Sequence, residues 1–287
     1  TLENFGSNTI DSVNVEWELA GVPQTSFLYT GPSLNAFTTT NVNLSASTNF
    51  PSGLTTLKFW TSNPNNVADA DNGNDTLSTF FCTGLAGIYT VGTPTSDFPT
   101  INDALAALYG CGVSAPVTMQ VQAGSYSTAI NINQPIPNIS ASNTVTFNGA
   151  SKTAIITVSS GAAVTLDAID HVTIEDFTLV NTSTTTGWGV LLTNAADFNT
   201  IRNNRIQMAS TSSFNVAGIV ASGSTSSVSS SGNNANYTLV ENNEISGADR
   251  GISFYGISTV SAYNSGNKIR NNNISDGNIT NISNIKS

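Results

Sequence analysis

Charge is what this sequence has least of. Only 9% of its 287 residues are Asp, Glu, Lys or Arg, against about 25% in ordinary soluble domains. Lys and Arg number 8 against 18 acids, leaving a net charge of −10. So acidic a chain repels phosphate backbones, and nucleic-acid binding is disfavoured. One histidine, His171, and two cysteines, Cys82 and Cys111, offer no zinc-ligand spacing. No apolar run approaches the roughly 18 residues that span a bilayer. Phosphate-binding glycine loops and nucleophile elbows are missing as well. The chain opens at Thr1 without methionine, which reads as a processed product whose targeting segment is gone.

Ser, Thr, Asn and Gly fill the gap left by charge. Low-complexity polar tracts usually stay unfolded, but here 39% of residues are hydrophobic, and Val, Ile and Phe recur at short intervals. Only Ser222 to Asn236 reads as a biased, flexible stretch. Cys82 and Cys111 are either two separate thiols or one disulfide. The even count, the sparse lysine and the hydroxyl- and amide-rich surface favour the disulfide and an oxidising, extracellular setting. Such a bridge closes a loop of about 30 residues and contributes roughly 3–4 kcal/mol in the chain-entropy model.

Residues 1–82 read as short strands. In Val13-Asn14-Val15-Glu16-Trp17-Glu18-Leu19 the apolar side chains fall on one face and the polar ones on the other, the period of two of a half-buried strand. Further strands are expected at Ser26–Tyr29, Asn41–Ala46, Leu54–Thr61 and Thr76–Phe81, punctuated by Gly, Pro and Asn. Between the last two, Asp69-Ala-Asp71-Asn-Gly-Asn-Asp75 is the best metal candidate. Asp69, Asp71 and Asp75 in a glycine-containing turn suit Ca²⁺, the alternative being a plain polar hairpin loop. The "VNVEWEL" strand, the "LKFWTSNPN" strand and turn, and the "DNGNDTLSTFF" return resemble immunoglobulin-like adhesion modules of the CARDB type. That resemblance implies a β-sandwich.

One segment looks helical. Ile101, Leu105 and Leu108 stand at i, i+4 and i+7, Thr100 with Asp103 fits a capping box, and Gly110 is the expected stop. A helix over about 100–109 is too short to stand alone. It is therefore expected to lie over the first coil of the C-terminal β-structure and hide unpaired strand edges there. Next come Val117–Val121 and the turn Ala123-Gly124-Ser125-Tyr126. This order, "FPTINDALAALYGCG…VTMQVQAGSY", resembles the start of pectin-lyase-like right-handed parallel β-helices, which implies a β-helix over 83–287.

The strongest signal is an internal repeat. Ile174-Glu-Asp-Phe-Thr-Leu179, Ile201-Arg-Asn-Asn-Arg-Ile206, Val240-Glu-Asn-Asn-Glu-Ile245 and Ile269-Arg-Asn-Asn-Asn-Ile274 align at intervals of 27, 39 and 29 residues. Gly189-Val-Leu, Gly218-Ile-Val, Gly251-Ile-Ser and Gly277-Asn-Ile form a second series. Such a period marks a solenoid whose coils bury their apolar edges on one another. Asn tolerates the left-handed backbone of a tight corner, and stacked amides bond up and down as a ladder. Asn204, Asn243 and Asn272 are the expected rungs, with Phe177 at the same place in the preceding coil. An ordinary Asn-rich loop is the alternative. Arg202, Glu241 and Arg270 read as an outward row of alternating sign.

Chemistry is harder to find. Pectin hydrolases of this shape carry Asn-Thr-Asp, Asp-Asp, Gly-His-Gly and Arg-Ile-Lys motifs, and none of these occurs. His171, just before a strand, reads as a corner residue. Alternation is expected to scatter Asp170, His171, Glu175 and Asp176 over both faces. No catalytic residue is therefore assigned, and no cofactor beyond the Ca²⁺ candidate. A sandwich followed by a β-helix resembles parts of large secreted bacterial adhesins and surface-filament proteins. That implies a non-enzymatic structural or adhesive protein at the cell surface, binding its own kind, other surface proteins or glycans. The alternative is a polysaccharide-binding or polysaccharide-cleaving β-helix. The repeat still runs at Asn271–Ile285, an uncovered coil end that favours either a longer polypeptide or head-to-tail fibres.

Overall fold

The computed structural model describes residues 1–44, 50, 53–69, 73–256 and 264–275. The chain forms two compact units, Thr1–Thr83 and Gly84–Ser287. No helix among the described residues is long and apolar enough to cross a membrane.

The first unit is built from antiparallel sheets. In the larger, Val22–Pro23, Val13–Leu19, Leu54–Ser62 and Thr76–Cys82 lie in that order, with Phe27–Tyr29 also paired to Val13–Leu19. Val13, Val15, Trp17 and Leu19 are buried while the intervening residues are half-buried, as the period of two requires. Trp17 stacks on Phe59 with ring centroids 6.2 Å apart. The strand expected at Asn41–Ala46 is not found over its described part, Asn41 to Leu44. The chain pairs instead at Thr39–Thr40, against Leu2–Glu3, and Asn41 meets Thr1 through a side-chain hydrogen bond of 3.3 Å rather than through a strand ladder. Ser45 and Ala46 lie outside the described residues, as does Asp71.

The second unit is a parallel β-solenoid of about 6 turns. Each coil contributes to three parallel sheets, termed the first, second and third face in chain order. The first face stacks Leu85–Val91, Val113–Val121, Val145–Asn148, Val172–Glu175, Thr200–Arg202, Leu239–Glu241 and Lys268–Arg270. The second runs from Gly124–Tyr126 to Asn273–Ile274, the third from Ile130–Ile132 to Arg250–Phe254. The register is that of the sequence repeat: Ile174 pairs with Ile201, Ile201 with Val240, and Val240 with Ile269. On the second face Leu179, Ile206, Ile245 and Ile274 follow one another in the same way. Phe147, Ile174, Ile201 and Val240 are fully buried. At about 1.5–3 kcal/mol for each large apolar side chain removed from water, these inward columns are the main source of stability.

The glycine series has a steric cause. A Cβ on Gly218 would stand 2.5 Å from the carbonyl oxygen of Gly251 and 2.6 Å from Ile245 Cγ2. Gly189 stands in the same relation to Gly218 and Ile206, and Gly251 meets Ile274. Each glycine lets the third face close against the second-face isoleucine of the next coil. Gly277, and the repeat expected to run on to Ile285, lie outside the described residues.

Three expectations for the second unit change. The helix runs over Ile101–Cys111, past Gly110, and is capped by Gly112. Gly112 has φ 65°, and a Cβ there would strike Pro137 O, so both backbone and space select glycine at this position rather than two residues earlier. The capping box of Thr100 and Asp103 is present, and Ile101, Ala104, Leu105 and Leu108 pack into the solenoid core. Gly124–Tyr126 is the opening strand of the second face rather than a turn. Leu85–Val91, before the helix, already pairs in parallel with Val113–Val121. The Ser-rich stretch is packed, not free: Ser222, Val228, Asn234 and Ala235 are buried. Val228 closes over Trp188, Leu191, Ala217 and Val220 on the outer side of the third face. That second apolar layer is why Gly187–Thr193 and Val216–Ala221 are buried on both sides.

Candidate functional site

The polar side chains of the solenoid are organised in columns, one position per coil. At the corner between first and second faces, the paired asparagines divide their work. The first of each pair, Asn203, Asn242 and Asn271, takes left-handed φ of 58°, 56° and 54°, as does Asp176 at 60°. The second of each pair points inward. Asn204 Nδ2 donates to Ile174 O at 3.0 Å and to Asn243 Oδ1 at 3.1 Å, while its backbone N–H donates to Asn243 Oδ1 at 3.0 Å. Asn243 repeats the pattern with Ile201 O and Asn272 Oδ1, and Asn272 Nδ2 reaches Val240 O. Phe177 ends the column, its N–H donating to Asn204 Oδ1 at 3.0 Å. Asn204 and Asn243 are fully buried, so every bond replaces water that cannot enter.

The corner before the first face carries columns that residue type alone conceals. Asn199 donates to Ile169 O and accepts from Val172 N–H. Asn267 does the same for Ala235 and Thr238 further along the solenoid. Asp170 accepts from Asp197 N–H at 2.8 Å, and Asp197 from Asn236 N–H at 2.7 Å. His171, Phe198 and Tyr237 all adopt left-handed φ. Their rings stack, at 5.3 Å between His171 and Phe198 and 5.0 Å between Phe198 and Tyr237. These residues stand 27 and 39 apart, the intervals of the main repeat. Extending the aligned repeat three residues upstream would have found them.

Outward columns are also paired. Gln120 donates to Asn148, and Asn148 to Glu175 Oε1. Glu175 holds Arg202 at 2.6 Å, and Glu241 holds Arg270 at 2.8 Å. Glu244 receives Lys152 at 2.6 Å and Arg205 at 3.0 Å. The Lys152 hydrogen bond, with Arg205 behind it, holds the Glu244 carboxyl below its ordinary range. Asp170 and His171 thus sit at one corner of the coil and Glu175 and Asp176 at the next, each engaged with its own column. Under the Ser-rich flap, Trp188 Nε1 and Arg250 Nε have no hydrogen-bond partner among the described residues, although Arg250 lies 3.7 Å from Asp249 Oδ2 and 5.6 Å from the Phe214 ring centre.

Cys82 and Cys111, the only cysteines, are joined in one disulfide. Of the calcium candidates, Asp75 Oδ1 accepts from Thr61 Oγ1 at 3.3 Å. Asp69 is half-buried, and Asp71 lies outside the described residues. Among the described residues no three His, Cys, Asp or Glu side chains gather as metal ligands, so Ca²⁺ rests on the sequence pattern alone.

One concave surface lies apart from the columns. Between the helix Ile101–Cys111 and the edge strand Ile130–Ile132 is a groove of about 470 Å³. Leu105, Ala106 and Ala129 supply its apolar part, and Asn102, Thr128, Asn131, Asn133 and Gln134 its polar part. Tyr109 crosses it, its hydroxyl donating to Asn131 O at 3.0 Å and accepting from Asn133 N–H at 3.4 Å. Burial raises the Tyr109 pKa above the usual phenol value, so this hydroxyl stays protonated as a donor.

No family model, no curated protein and no solved structure matches the chain.

Proposed function

We propose that the protein is a non-enzymatic structural or adhesive scaffold of an extracellular surface. In this reading the first unit is an immunoglobulin-like sandwich and the solenoid is right-handed, the sense that parallel crossovers almost always take. The observation that supports it is the use made of the polar side chains. Asp170, Glu175, Asp197, Arg202, Glu241 and Glu244 are each hydrogen-bonded or ion-paired to a neighbouring coil. A catalytic acid or base must be free to exchange a proton with substrate, whereas these groups hold one coil to the next. The disulfide suits an oxidising compartment. A surface solvated by amides and hydroxyls suits contact with other surface proteins, with glycans, or with further copies of the chain in a head-to-tail filament.

The test is a panel of neutral and acidic polysaccharides assayed for reducing ends and for unsaturated uronate, with electron microscopy of the same sample. The expected result is no turnover. Sustained turnover would replace this reading with the polysaccharide-cleaving one, and dispersed monomers at high concentration would remove the filament form of it.

A further inference from the structure

The groove beside the helix Ile101–Cys111 gathers several amide side chains in one concavity. Many asparagine amides of the coils are spent on neighbours: Asn148, Asn181, Asn199, Asn204, Asn243 and Asn267 all donate to another residue. On the groove, the side chains of Asn102, Asn131, Asn133 and Gln134 and the Thr128 hydroxyl make no hydrogen bond among the described residues, and all five residues are exposed. Four amides and a hydroxyl therefore line one concavity together, beside Leu105, Ala106, Ala129 and the Tyr109 ring.

We propose that this groove binds a neutral oligosaccharide. The inference rests on the adhesive reading and names its ligand. Each amide offers donors and an acceptor, the set needed to pair with sugar hydroxyls that are themselves both. The apolar strip and the tyrosine ring match the C–H side of a pyranose. No lining residue is charged, so nothing in the groove compensates a uronate or sulfate, and the net charge of −10 repels one. The volume falls within the range of about 300–1,000 Å³ typical of small-ligand sites. The floor is rigid: Leu105 is packed into the core, and Tyr109 is tied by its hydroxyl to the strand opposite.

The test is saturation-transfer NMR and calorimetry on the full chain with cello-, xylo-, manno- and chito-oligosaccharides, and with oligogalacturonate as the acidic comparison. At least one neutral series is expected to bind with Kd at or below about 1 mM. The double variant Asn131→Ala/Asn133→Ala is expected to weaken it at least about tenfold. Gln207→Ala, exposed on the second face, should leave it unchanged. Both sets are surface substitutions, and circular dichroism checks that each variant keeps its fold. Absence of saturable binding by any neutral series, binding untouched by the double variant, or preference for oligogalacturonate would each overturn the proposal. The scaffold reading fails separately: cleavage of a bound sugar would end that reading while leaving the groove assignment in place.

Discussion

In the solenoid, Ile201 meets Ile174 on one side and Val240 on the other, so each coil presents its neighbour with a copy of itself. In the first unit, Trp17 meets Phe59, and no repeat supplies a second such pair. The solenoid core is one continuous cluster from Leu85 to Phe254. Among its described residues the first unit has two small ones, around Leu2, Val13, Tyr29 and Leu34 and around Trp17, Leu19 and Leu57, and it leaves Leu77 and Phe80 exposed on its edge strand. Repetition lets a single local solution, such as an inward asparagine at a left-handed corner, serve many times. Without it each contact is met once, and its loss has no neighbour to soften it.

The sharpest way to break this contrast is to remove one centre from each unit. Asn243→Ala strips a buried acceptor from Asn204 N–H and a donor from Ile201 O; with about 1–3 kcal/mol per orphaned group, a loss on the order of 3–5 kcal/mol is expected. Trp17→Ala should cost about 3–5 kcal/mol. Hydrogen exchange read unit by unit should place the first loss in several adjoining coils and the second in the first unit's sheet. Next in size is reduction of Cys82–Cys111, expected to lower stability by roughly 3–4 kcal/mol on the chain-entropy model, read as a shift in denaturant midpoint. Gly218→Ala forces a Cβ against Gly251 O and should cost about 1–3 kcal/mol by overpacking, with calorimetry as the check. Arg202→Ala removes a partly exposed ion pair and should cost less than about 1 kcal/mol.

The smallest effect is that of acid. The Glu244 carboxyl is held low chiefly by Lys152, and that of Asp97 by the Thr90 N–H. A depressed carboxyl contributes stability above its unfolded pKa and loses it as pH falls through the folded one. Thermal midpoints should therefore fall slightly as pH drops below the ordinary carboxylate range, and Glu244→Gln should flatten that slope.

Much of this was legible in the sequence wherever the repeat kept residue types constant. The Ile-x-Asn-Asn-x-Ile segments predict the register, and Thr100 with Asp103 marks the helix start. The structure adds which asparagine of each pair turns the corner and which one bonds inward. Other features escaped for identifiable reasons. His171, Phe198 and Tyr237 occupy one column but share no residue type with Gly266, the next in register. The flap at Ser222–Asn236 looks polar because its packing rests on two small or medium apolar side chains set among serines and asparagines, Val228 and Ala235. Gly110 reads as the helix stop, but the positive φ and the close contact with Pro137 that select glycine belong to Gly112, which only the structure reveals. The groove depends on a helix and a strand some 20 residues apart coming together, which no local pattern announces.

The most direct measurement is native-state hydrogen exchange at the backbone amides of Phe177, Asn204 and Asn243, each of which donates to an asparagine side chain of the next coil. If the polar columns hold the coils together, these amides exchange as slowly as those of Ile174 and Ile201, and Asn243→Ala accelerates all three. Exchange at the rate of an exposed loop, or a variant that changes only its immediate neighbour, would contradict the account.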